Sequence, residues 1–389
     1  MRERSAACAS PAARLAAALG LLLAGACGAA EDASRAPAGD VPASWTREFP
    51  KADFSRRTVD LGEIRAGGPP RDGIPAIDHP RFAAPDRARD WLRDDEPVIV
   101  LRLGGAVRAY PLQILMFHEI VNDTMAGVPV AVTFCPLCNA SLAFERTVEG
   151  TVLDFGTTGR LRHSDLVMYD RQTESWWQQF TGKGIVGRHA GTQLRELPSQ
   201  ITAFADFAAA YPDGEVLSRD TGFDRPYGRN PYRGYDRIGD NPFLFDGAVD
   251  ARLPAMERVI AVSLGGRHRV HPFRLLDRQP VINDAFEGVP YVVFSREGLR
   301  SALDAAEIAR SRTVPAATAF ERRLDGRVLS FARAGEHIVD EQTGSRWNLF
   351  GEAVDGALKG RALAPVPGGV HFAFAWLAFR PDSEIYRAR

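Results

Sequence analysis

The feature that most limits what this chain can fold into is an internal repeat. Leu103-Gly104-Gly105, Tyr110-Pro111 and Ile114-Leu115 return as Leu264-Gly265-Gly266, His271-Pro272 and Leu275-Leu276. In the same ungapped register Asn122-Asp123 and Gly127-Val128-Pro129 return as Asn283-Asp284 and Gly288-Val289-Pro290. After an interruption, Ala143-Phe144-Glu145-Arg146 matches Ala319-Phe320-Glu321-Arg322, and Asp170, Gln172, Thr173, Trp177 and Phe180 match Asp340, Gln342, Thr343, Trp347 and Phe350. Self-similarity of this kind reads as one fold unit duplicated.

Within the unit, apolar and polar residues alternate between glycine-containing turns, which is the pattern of hairpins. Residues 98–103 and 106–110 flank Gly104-Gly105, and residues 119–125 and 128–134 flank Ala126-Gly127. Further strands are expected at 141–146, 165–170 and 175–180, with short helices at 84–94, 111–116 (opened by Pro111) and 204–211. An insertion in the second copy, residues 298–312, reads as helical. The fold class is therefore α+β and β-rich: two tandem pseudo-symmetric repeats of antiparallel hairpins with short helices. Hydrophobic content of 45% suffices for a full core, and a net charge of -1 leaves no nucleic-acid footprint.

The chain divides accordingly. Residues 1–27 form a signal peptide of the lipoprotein type: Arg2, Arg4 and Arg14 precede a short apolar run, and Ala24-Gly25-Ala26 stands before Cys27, the expected lipidation site. Residues 28–45 are a flexible tether and 46–97 an N-terminal extension packing on the first repeat. The first repeat is 98–218. Residues 219–250 are a connecting loop rich in proline, glycine and aromatics, expected to be ordered against the body rather than to line a site. The second repeat is 251–389. Export places the protein in the periplasm or cell envelope, membrane-bound through the lipid on Cys27, with no nucleic-acid partner.

Duplication supplies a control. Positions kept in both copies are explained by structure; positions present in one copy point to chemistry. Cys135 and Cys138 fall at about Arg296 and Leu299, His118 falls at Gln279, and Gln179 falls at Leu349. The second copy is thus expected to be a scaffold without a site. With Cys8 and Cys27 in the signal region, only Cys135 and Cys138 remain for the folded protein.

Two thiols on a Cys-Pro-Leu-Cys turn can bind a metal, cycle between dithiol and disulfide, or form an inert bridge. A thioredoxin-like site needs a long helix after the motif, and the alternation from Ala140 onward denies it. In the redox reading, which leads, one thiol attacks, the other resolves, and His118 helps deprotonate the attacker. The alternative is a metal knuckle in which Cys135, Cys138 and His118 hold copper or zinc, with His163, Asp165 or Met168 adding a donor. A third reading is a non-enzymatic binding module with a structural disulfide, but so short a loop constrains the unfolded chain little. Gln179, Asp165 and Asn139 are the expected substrate-lining residues; the partner is a small molecule, a metal or a thiol redox protein.

Gly73-Ile74-Pro75-Ala76-Ile77, Ala109-Tyr110-Pro111-Leu112, His118-Glu119-Ile120-Val121-Asn122-Asp123, Thr133-Phe134-Cys135-Pro136-Leu137-Cys138, Asp165-Leu166-Val167-Met168-Tyr169-Asp170-Arg171 and Ser175, Trp177 and Gln179 together resemble a family of exported bacterial and archaeal proteins, domain of unknown function 3179. Some of its members are described as selenoproteins. The resemblance covers roughly residues 70–385. It implies that the Cys-Pro-Leu-Cys loop and His118 belong to the family pattern and, through selenium, that the chemistry is redox or soft-metal. Asn139-Ala140 stands where Gly-Thr is expected and His163 where Asn is usual, which reshapes the edge of the loop and keeps both thiols.

Overall fold

A computed structural model describes residues 41–388. The signal peptide, Cys27 and the tether up to residue 40 lie outside the described residues. Strands dominate, and the longest helices among the described residues, Phe204–Ala210 and Ala373–Phe379, have seven residues each.

Each sheet of the first copy has a counterpart in the second. Ser199–Ala203, Pro97–Leu103, Ala106–Pro111 and Glu215–Leu217 lie side by side, as do Gly368–Phe372, Arg258–Leu264, Arg267–Pro272 and Glu384–Ile385; in both sheets the last pair is parallel. The hairpin Ile120–Met125 with Val128–Cys135 continues into Ala140–Glu145, and Val281–Phe286 with Val289–Arg300 continues into Thr313–Glu321. A third sheet, built on Phe155–Arg162, Asp165–Asp170 and Trp176–Gln178, is echoed by Phe331–Ala334, His337–Asp340 and Arg346–Trp347. One apolar cluster runs through both copies, from Ile99, Val132 and Phe155 to Val259, Phe294 and Phe331.

The residues repeated in sequence do the same mechanical work twice. Asn122 gives its side-chain amide to the Phe155 carbonyl and accepts from the Phe155 N–H, at 2.8 and 2.9 Å, and Asn283 makes the same pair with Phe331 at 2.7 and 2.8 Å. Each asparagine thus fastens a hairpin to the next sheet. Asp170 accepts from the Thr173 N–H at 2.6 Å and from Trp177 Nε1 at 2.9 Å; Asp340 does so from Thr343 and Trp347 at 2.7 and 3.1 Å. Buried donors that must be satisfied account for these repeated positions.

Three expectations are corrected. Residues 298–312 are not helical: the strand Val289–Arg300 runs on through a bulge between Arg296 and Leu299, and a loop with one short turn, Ile308–Arg310, leads into Thr313–Glu321. The segment reads as helical from its sequence, but backbone groups there are used in tertiary bonds. Asn230, Gly234 and Tyr235 donate their N–H groups to the carbonyls of Ala306, Asp304 and Leu303. The helix expected at 84–94 is confined to Pro85–Ala88, followed by turns. The chain also meets the body before residue 45: Ala43–Glu48 is helical, and Trp45 packs 4.9 Å from Trp176.

Candidate functional site

The site grows out of one interrupted strand. Val128–Cys135 pairs with Ala140–Glu145 up to Cys135 opposite Ala140. Pro136 has no N–H to give the ladder and a preset φ, so the chain turns through Pro136–Cys138. Asn139 then takes a left-handed conformation (φ 48°), which asparagine tolerates, and returns the chain to the sheet. Cys135 and Cys138 are thereby brought to one side of the turn, both buried and unbridged. Both Sγ atoms point at the carbonyl of Ser164, at 3.8 and 3.5 Å.

Ser164 and His163 form the turn of the neighbouring hairpin, both at positive φ. That turn delivers Asp165. The ligand atoms of Cys135, Cys138 and Asp165 all lie within 4.8 Å of one another, and all three residues are buried. Asp165 Oδ2 accepts from Gln178 Nε2 at 2.6 Å and from the Phe180 N–H at 2.9 Å, whereas Oδ1 has no hydrogen-bond partner. Glu119 faces the same region from the turn before Ile120–Met125.

The electrostatics follow from burying acids together. Burial pushes the Asp165 carboxyl up to about 7 against its hydrogen bonds from Gln178 and Phe180 and the smaller pull of the two adjoining thiols. Burial, and then the charge of Asp165, pushes Glu119 up to about 8. Burial raises both thiols above the ordinary cysteine value, Cys138 the more, with Asp165 adding to each shift. Among the described residues no lysine or arginine hydrogen-bonds or pairs with any of the three clustered side chains.

A roof closes the site. The 219–250 connector lies across it, closer to the thiols than the sequence suggested. Ser164 Oγ donates to the Phe243 carbonyl at 2.5 Å, and the Phe243 N–H donates to the Tyr235 hydroxyl at 3.2 Å. Burial, then the charges of Glu119 and Cys135, raises the Tyr232 phenol; burial and the nearby Cys138 and Cys135 do the same to Tyr235. The connector is held by Asp236, whose carboxylate receives Arg258 and Arg312 at 2.8 Å and Ser301 Oγ at 2.5 Å. Arg312 and Ser301 belong to the second-copy insertion, so that copy clamps the roof over the site of the first.

The expected residues divide. Cys135, Cys138 and Asp165 come together. His118 does not join them: Nδ1 bonds the Pro75 carbonyl at 2.7 Å, Nε2 bonds the Tyr227 hydroxyl at 2.6 Å, and burial lowers its pKa to about 4. It latches the connector instead. Gln179 is buried behind the turn, donating to Thr133 Oγ1 at 2.8 Å and the Ala140 carbonyl at 3.2 Å, with Oε1 unpartnered. It supports the hairpin from below. Asn139 sets the turn and borders a small cavity with Ile201, Leu299 and Val370. Met168 sits in the apolar core, and His163 is half-buried against Phe245 and Phe379. Glu119, the Ser164 carbonyl, Tyr232 and Tyr235 were missed. Glu119 had a signal, since its counterpart in the second copy is Pro280.

Buried dithiol, adjoining carboxylate and covering loop define an enclosed thiol–carboxylate centre on a β-rich fold of antiparallel hairpin sheets. The chain belongs to the family described as Protein of unknown function (DUF3179), which it matches over residues 71–383. No curated protein and no solved structure matches it.

Proposed function

We propose that Cys135, Cys138 and Asp165 bind a thiophilic divalent cation, zinc before copper, in a protein exported to the cell envelope. The observation that carries this is the orphaned Asp165 Oδ1 beside two buried sulfurs. Three acidic groups share one dry spot without a counter-charge, an arrangement that burial makes costly and a cation relieves. Two thiolates and a carboxylate suit Zn2+. The thioether and imidazole that would favour Cu(I) are engaged elsewhere. The signal-like segment ahead of Cys27 supports export, and a lipid on Cys27 would supply the membrane tether.

A redox role for the same thiols is the second reading. It is favoured by the pair being unbridged and by Asp165, with its pKa near 7, standing close enough to exchange a proton with either sulfur. The raised thiol pKa values and the closed roof count against it, because the thiolate is the nucleophile.

Metal content and free thiols, measured together on protein purified without chelator under mild reductant, decide between them. About one equivalent of zinc that is lost in Cys135→Ser is the expected result. Absence of metal, with thiols that oxidise and reduce reversibly, would overturn the metal reading in favour of the redox one.

A further inference from the structure

We propose that Glu119 is the fourth donor of the Cys135–Cys138–Asp165 centre, an inference that rests on the metal reading above. A closed structural zinc site takes four protein ligands, and the cluster holds three. Of the other donors nearby, His118 is committed through both ring nitrogens, Met168 lies in the core, Gln179 is tied by its amide nitrogen to Thr133 and Ala140, and the Ser164 carbonyl is a neutral oxygen where zinc takes carboxylate. Glu119 is free. It is only 7% exposed, and no hydrogen bond from a described residue reaches its carboxyl. The charge it senses is that of Asp165, and Cys135 senses Glu119 in turn. Its carboxyl stands outside the 4.8 Å cluster, as two like charges require. A cation between them reverses the sign of that interaction and draws the carboxyl in.

The backbone gives independent support. Glu119 sits at φ 57°, a conformation a long side chain adopts at a cost. Its carbonyl accepts from the Phe134 N–H at 2.8 Å, one residue before Cys135. The second copy makes the same bond, Ser295 N–H to the Pro280 carbonyl at 2.7 Å, with a residue whose ring holds φ near −65°. In the first copy the Ile120 N–H closes onto the His118 carbonyl at 2.6 Å, a tight turn with Glu119 at its centre that a proline there would not make. Only the copy that carries the thiols has this turn.

Co2+ titration of the purified protein tests this, since visible absorption reports thiolate ligation and coordination geometry separately. Glu119→Gln and Glu119→Gly should bind Co2+ about 10–100-fold more weakly, with an altered d–d spectrum and the sulfur-to-metal charge-transfer band retained. Without metal, Glu119→Gly should melt no lower than the parent, because glycine is at ease at positive φ. A merely structural role predicts lower melting in both variants and an unchanged spectrum. Parent-like affinity and spectrum in both variants would overturn the assignment while leaving the three-residue site standing. Failure of the parent itself to bind Co2+ would remove the metal reading, and Glu119's role with it.

Discussion

Replacing Asp236 by Asn should unlatch the roof without touching the thiols. Asp236 is fully buried and is the carboxylate partner of Arg258, itself only 8% exposed, while also receiving both terminal nitrogens of Arg312. In Asp236→Asn the closed state keeps a buried guanidinium without its counter-charge, whereas the open state hydrates it. Breaking one side of a buried pair costs about 3–5 kcal/mol. Because each 1.36 kcal/mol is tenfold, the open population should rise by roughly two to three and a half orders of magnitude. The assay is the rate at which a thiol reagent labels Cys135 and Cys138 in metal-free, reduced protein under native conditions. When opening and closing are fast relative to labelling, that rate follows the open population. Acceleration of about a hundredfold or more is expected, with little dependence on low denaturant, since a loop rather than the whole molecule opens. Labelling within about twofold of the parent, alongside a lowered denaturation midpoint, would refute the gating argument and leave Asp236 a structural residue only.

Other predictions concern the rest of the scaffold. Tyr227→Phe removes the hydroxyl that His118 Nε2 and Thr221 share and should speed the same labelling by about threefold to tenfold, the worth of one hydrogen bond. His371 is buried between Phe180 and Trp376 with neither ring nitrogen partnered, and burial lowers its pKa to about 4. The fold therefore holds it neutral. The stability this contributes is full above the ordinary value near 6.5 and is lost as pH falls from there towards 4, to the extent of roughly 3 kcal/mol. His371→Phe should flatten urea midpoints across that window, and an unchanged pH slope would count against the assignment. Asp170→Ala and Asp340→Ala each strand a buried Trp N–H and a Thr backbone N–H, so each should cost about 2–4 kcal/mol. The double variant should be near-additive in chemical denaturation, because the two turns share no partner.

The hairpins, the Asn-Asp pairs and the Asp-Thr-Trp turns were legible because each is specified over a few residues. Alternation sets the faces, Gly104-Gly105 and Ala126-Gly127 set the turns, and repetition in a second copy marked them as structural. What failed depended on long-range contacts. The insertion was misread because Ala302, Leu303 and Ile308 are buried beneath the connector, and its carbonyls serve another segment's N–H groups. His118 lies one hairpin from the thiols in sequence, and Asp165 lies a whole sheet away, yet folding turns the first towards Tyr227 and the second towards sulfur. Sequence spacing carries no information about which side of a turn faces inward. Glu119 stood in plain view beside His118; its replacement by Pro280 in the second copy was its sequence signal, and its backbone angle and its lack of a hydrogen-bond partner among the described residues distinguish it in the structure.

The clamp on the roof has a bearing on ancestry. A freshly duplicated chain has two interchangeable copies, and either can be deleted without loss. Here Ser301 and Arg312 of the later copy grip Asp236, which spans the thiols of the earlier one. The grip makes the two halves interdependent. A chain cut back to its first repeat would keep both sulfurs and lose the shelter they sit under.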